Sequence, residues 1–79
     1  EDRASIFVAI SAENQIWINR ERVDIRRLRT EIERLRRGKP KAAVVIQGDQ
    51  NARLGLMVEV MDQARLAGVA DVSVAATPN

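Results

Sequence analysis

Few residues in this chain could do covalent chemistry, and their spacing narrows the field further. There is no histidine and no cysteine. That removes thiolate nucleophiles, disulfides, the usual zinc ligand sets and the commonest general base. The carboxylates that an acid–base pair would draw on are Asp49, Glu59, Asp62 and Asp71. Glu59 and Asp62 stand one helical turn apart beside Gln63 and Arg65, a polar surface on which solvated charge is the expected role. Acid–base work needs burial or a partner that moves a pKa. The loop from Gly48 to Gly55 joins a strand to a helix, where a phosphate-binding loop would sit. It lacks the Lys-Ser/Thr pair of a Walker loop and the spacing of G-x-G-x-x-G, so it reads as a plain connection. No residue is assigned a catalytic, metal-binding or cofactor-binding role, and no enzyme activity is expected.

The second chemical resource is positive charge. The net charge is +2, but it is unevenly spread. From Arg20 to Lys41 ten Lys/Arg face four Asp/Glu, a balance of +6, and the remainder is at −4. Arg26, Arg27, Arg29, Arg34, Arg36 and Arg37 crowd one predicted helix, over about Ile25 to Arg37. Two readings stand. One is a solvated face laced by i,i+4 pairs (Arg27–Glu31, Arg29–Glu33, Glu33–Arg37). The other is a contact for an anionic surface such as phospholipid headgroups or a wall polymer. Nucleic acid is not the expected partner, because Phe7 and Trp17 are the only aromatics and offer no stacking platform.

The third resource is unpaired backbone. Val72-Ser73-Val74-Ala75-Ala76 alternates apolar and small residues and is the last strand of the chain. A strand placed last by a crossover tends to lie at a sheet edge, where free N–H and C=O groups can accept another strand. The competing reading is an edge blunted by its shortness and by Thr77-Pro78.

The elements that must carry these residues follow from periodicity. Ser5 to Ser11 alternates, with Ile6, Val8 and Ile10 on one face and Phe7 and Ala9 on the other; Gln15 to Asn19 repeats the pattern around Trp17. Asp24 is placed to cap a helix with the apolar stripe Ile25, Leu28, Ile32 and Leu35, which Gly38 and Pro40 end. Ala42 to Ile46 is a short apolar strand. In the helix from about Leu54 to Ala67, Leu54, Met57, Val58, Met61 and Ala64 line one side, and Leu56, Val60 and Ala67 widen the arc. It should be the more buried of the two helices.

The order β-β-α-β-α-β predicts an α/β two-layer sandwich. Both helices cover one face of a four-stranded mixed sheet, with strands near 5–11, 15–19, 42–47 and 71–76. Phe7 and Trp17 then fall on the opposite face, as a cross-strand pair or as a contact surface.

With 79 residues this is expected to be one domain, and a chain of that size is marginal unless well packed or paired. No run approaches the about 20 apolar residues of a membrane span. The start at Glu1-Asp2 suggests a segment excised from a longer protein.

The whole run from Ile6 to Pro78 resembles the periplasmic domain of the ExbD/TolR family. Val8-Ala9-Ile10-Ser11 through Ile16-Trp17-Ile18-Asn19 is similar to the family's opening hairpin. Val44-Val45-Ile46-Gln47-Gly48-Asp49 is similar to its next strand end, with Gly48 where Ala is usual. Val58-Glu59-Val60-Met61-Asp62 and Leu66-Ala67-Gly68-Val69 carry the most specific part, and Val72-Ser73-Val74-Ala75 with Pro78 closes it. Leu54 departs from the aromatic often found there. Met61-Asp62-Gln63-Ala64-Arg65-Leu66-Ala67-Gly68 favours the ExbD branch over TolR.

The resemblance implies a homodimeric periplasmic domain of a single-span inner-membrane protein of a Gram-negative bacterium. It implies an ExbB-like membrane partner, a TonB-like periplasmic partner, and a role in proton-driven import of iron chelates across the outer membrane. The TolR branch would instead imply TolQ, TolA and peptidoglycan. The aspartate that the family uses for proton coupling lies in an upstream membrane helix, so no residue of this stretch inherits that role. Residues 72–76 become the expected partner or dimer edge, and Arg26, Arg29, Arg34, Arg36 and Arg37 the expected contacts for an anionic surface.

Overall fold

The computed structural model describes residues 4–77. In chain order it contains β1 (Ser5–Ile10), β2 (Ile16–Ile18) and β3 (Glu21–Arg22). A 3-10 turn (Ile25–Arg27) then leads into α1 (Leu28–Leu35), followed by β4 (Ala43–Asp49), α2 (Leu54–Leu66) and β5 (Val72–Thr77). The sheet runs β3-β2-β1-β4-β5. β1 is antiparallel to β2 and parallel to β4, and β4 is parallel to β5.

This is the expected α/β class with a mixed sheet and two helices, but the sheet has five strands rather than four. The added strand, β3, is two charged residues long and gives no alternation for periodicity to detect. It is reached through Asn19-Arg20, whose φ angles of 51° and 70° are both left-handed, the geometry of a type I′ hairpin turn. That turn prefers glycine at its second central position, where an arginine side chain crowds its own backbone. Arg20→Gly is therefore expected to stabilise the fold by about 0.5–1 kcal/mol in urea denaturation.

Register places one row of side chains over another. Val8 pairs with Ile18 and Ile46, and Ile10 with Ile16; all are buried. They form one cluster with Leu28 and Ile32 of α1 and Leu56 and Val60 of α2. The opposite face keeps Phe7 52% exposed, as the alternation required.

Asp24 caps the turn before α1. Its carboxylate accepts the Arg26 backbone N–H at 2.9 Å and the Arg26 guanidinium at 3.2 and 3.3 Å. The ion pairs of this segment among the described residues are Asp24–Arg26 and Glu31–Arg34, in place of the i,i+4 set expected from spacing. The 3-10 turn shifts where the true helix begins, and Glu31 pairs forward with Arg34 at i,i+3 instead.

The hydrogen bond to the Arg26 side chain, helped by its backbone N–H, holds the Asp24 carboxyl below its ordinary value. The Arg34 hydrogen bond does the same for Glu31. A depressed carboxyl stabilises the fold above its unfolded pKa, and that contribution is lost as pH falls through the folded one. With no histidine to titrate, stability is expected to be flat from about pH 7 to about pH 5.5 and to fall only in the carboxylate range. Thermal melts across that series check it.

Candidate functional site

The two ends of the sheet differ in kind. β3 is short and charged, both of which discourage pairing with another chain. β5 is six residues long and carries no charge from Val72 to Thr77. Val44 N–H donates to Asp71 O at 2.9 Å, and Val44 lies beside Val72. In a parallel ladder this turns the backbone groups of Ser73 and Ala75 toward β4. The N–H and C=O groups of Val72, Val74 and Ala76 therefore face outward, where the sheet has no further strand among the described residues. The predicted edge residues thus come together as a template with a free hydrogen-bonding side.

α2 positions that edge. Its C-terminus closes as a Schellman cap: Gly68 N–H donates to Arg65 O at 2.9 Å and Val69 N–H to Ala64 O at 3.2 Å. Gly68 adopts φ 93°, and Val69 is buried, the apolar contact that accompanies this motif. The reversal takes the chain directly into β5. The N-terminus of α2 is held from the β1–β2 turn, where Asn14 Oδ1 accepts the Arg53 backbone N–H at 2.7 Å.

The arginines expected to meet an anionic surface do not form one uniform set. Arg26 pairs with Asp24, and Arg34 with Glu31. Arg36 turns inward across the gap to α2. Its guanidinium donates to Pro40 O at 3.1 Å and to Ala67 O at 3.4 Å, while its Nε is buried without a partner. One of its terminal nitrogens lies 3.1 Å from where a side chain on Gly68 would begin, so Gly68 serves both the cap and this crossing. Arg27, Arg29 and Arg37 are exposed and join none of these pairs.

A lysine has one compact head and cannot reach two carbonyls as a planar fork does. Arg36→Lys is therefore expected to cost about 1 kcal/mol of stability, which chemical denaturation reads.

Phe7 and Trp17 do share the face away from the helices. Ala9 lies beside Trp17, and Phe7 beside Val45. Phe7 and Trp17 are thus diagonal neighbours across the β1–β2 ladder and not directly opposed. Trp17 is half-buried and lies beside Arg22 of β3.

Among the described residues no cluster of acids is arranged to hold a metal ion, and no helix is long and apolar enough to cross a membrane. The hollow beside β3 is lined by Glu21, Arg22, Asp24, Arg27 and Glu31 with Val23, charges of both signs that converge on no reacting centre.

The sequence profile of the family described as "Biopolymer transport protein ExbD/TolR" matches residues 1–79. The chain is 43% identical over 76 residues to "Biopolymer transport protein exbD2" of Vibrio cholerae serotype O1. The match covers 96% of this chain and 57% of that relative, so the chain spans a little over half the length of the protein it resembles.

Proposed function

Since this chain belongs to the ExbD/TolR family of biopolymer transport proteins, a family of transport subunits and not of enzymes, we propose that it is the periplasmic domain of an ExbD-like motor subunit that meets its partner by strand addition at β5. The observation that carries this reading is the outward-facing row of backbone groups on Val72, Val74 and Ala76, on the one long uncharged edge of the sheet. An extended segment laid against that row gains a ladder of main-chain hydrogen bonds, with side chains setting the choice of partner.

In this reading the segment comes from a TonB-like protein or from the mate of a homodimer. The subunit works beside an ExbB-like membrane protein in the inner membrane of a Gram-negative bacterium, and contact with TonB powers import of iron chelates across the outer membrane. Backbone amide shifts on titrating a TonB periplasmic peptide test it. Shifts confined to 72–76 and the adjoining part of β4 are expected, and an unperturbed β5 would sink the proposal.

A second reading has its own support in the exposed Arg27, Arg29 and Arg37. A TolR-like domain could use such a face for peptidoglycan or another polyanion, with TolA as protein partner. Salt separates the two readings. Binding through the arginines weakens steeply between low and physiological ionic strength, whereas strand addition changes little.

A further inference from the structure

α2 carries more apolar surface than the sheet beneath it uses. Leu56, Val60, Ala64 and Ala67 are buried and, at about 100° per residue, share one stripe. Leu54, Met57, Val58 and Met61 follow on one flank of that stripe, which Arg65 closes at its C-terminal end, and Glu59 and Gln63 lie on the other. The flanks face different neighbours. Glu59 lines the same hollow as Ile16, Arg22, Val23 and Ile25, which places its side toward β2, β3 and the 3-10 turn. The Met57 thioether stands 3.0 Å from where a side chain on Gly48 would begin, and Gly48 lies beside Ala76. The apolar flank therefore turns toward β5. Leu54 there is 75% exposed and Val58 48%. On β5 the residues pointing to the same side are Val72, Val74 and Ala76, and Val74 is 40% exposed. Apolar side chains on two elements thus remain in water next to the free row of backbone groups.

We infer that the occupant of the β5 edge is an extended segment of another protein whose alternate residues are apolar, with the largest of them opposite Ala76. The inference rests on strand addition at this edge. A residue paired across from Val72, Val74 or Ala76 projects its side chain to the same side of the sheet as its neighbour does. There it covers Val74 and the exposed flank of α2. Ala76 has the smallest side chain of the row and lies at the α2 N-terminal end, where Leu54 and Val58 are exposed, so that position has most room. On the other face the newcomer adjoins Ser73 and Ala75, and its intervening residues need only be small or polar. A second copy of β5, antiparallel about Val74, would set Val72 opposite Ala76 and fill the space less well.

The test uses two short peptides of one composition. One has Leu, Val and Val at alternate positions with Thr and Lys between them; the other has the three apolar residues consecutive. Titrated into the isotope-labelled chain, the alternating peptide is expected to shift the amides of 72–76 and to bind about tenfold more tightly than the other. Val58→Lys and Leu54→Lys, both at exposed positions, are each expected to erase that preference without lowering the melting temperature. Equal binding by the two peptides with shifts at 72–76, or a preference that survives both lysine variants, overturns the side-chain pattern and leaves strand addition standing. No shift at 72–76 with either peptide, in a chain that sediments as a monomer, removes strand addition and the inference together. A stable dimer in sedimentation that neither peptide displaces identifies the occupant as a second copy and overturns the foreign segment.

Discussion

Val74→Pro is expected to abolish binding of a partner strand, by about 100-fold or more, while the domain still folds. The position tells the two effects apart. The Val74 N–H faces the outer side of β5, so its loss breaks no bond to β4. Proline is tolerated on the open side of an edge strand for that reason. An incoming strand, by contrast, loses a donor at the centre of its ladder and meets the pyrrolidine ring where its backbone must approach. A missing hydrogen bond and a steric block together remove about 2–3 kcal/mol. Ser73→Pro is the matched control: its N–H is directed at β4, so the same substitution one residue earlier should lower the melting temperature. A titration with a TonB periplasmic peptide, beside thermal denaturation of both variants, separates partner binding from folding. If Val74→Pro binds like the parent chain, the edge is not the docking site.

Ile32→Ala is expected to have the largest effect on stability, about 3 kcal/mol. α1 reaches the core through two fully buried residues, Leu28 and Ile32, and most of its remaining surface is charged. Truncating Ile32 leaves a cavity between α1, the sheet and α2 that the arginine-lined exterior cannot fill. A domain of this size has a total stability of about 4–12 kcal/mol, so the loss is a large share of it. The denaturation midpoint should fall markedly, and amide exchange should show α1 losing protection before β1 and β4.

The sheet was legible where a single buried face imposes alternation. Ile6, Val8 and Ile10 predict β1 and its orientation, and Val72 and Val74 predict β5 within one residue at each end. β3 was not legible, because Glu21 and Arg22 belong to the sheet through the left-handed turn at Asn19-Arg20 and not through any apolar pattern of their own. The expected side of α2 was also not the buried one. The apolar spacing puts Leu54, Met57, Val58, Met61 and Ala64 on its main line, yet of these the core buries Ala64 alone, together with Leu56 and Val60 from the edge of the arc, and Leu54 and Val58 stay exposed. A helix apolar around most of its circumference cannot announce which stripe will meet the sheet; the crossover between β4 and β5 decides that.

The arginines posed a different problem. Composition placed Arg36 with its neighbours on a basic face, but the carbonyls of Pro40 and Ala67 that draw it inward become adjacent only after both helices have docked. The edge residues were named from chain order, while the direction of their hydrogen-bonding groups needed the register with β4.

The parallel arrangement of β1, β4 and β5 has a mechanical consequence. The chain enters this three-strand unit at Ser5 and leaves β5 at the opposite end of the sheet, because all three strands point the same way. A tension applied between the start of β1 and the far end of a strand seated on β5 runs along the strands. Every hydrogen bond of the shared ladder is then loaded in shear at once, and all must fail together. A pull directed across the sheet would instead unzip the same ladder one bond at a time. A joint built this way holds against a pull along its length and releases to one that peels it sideways.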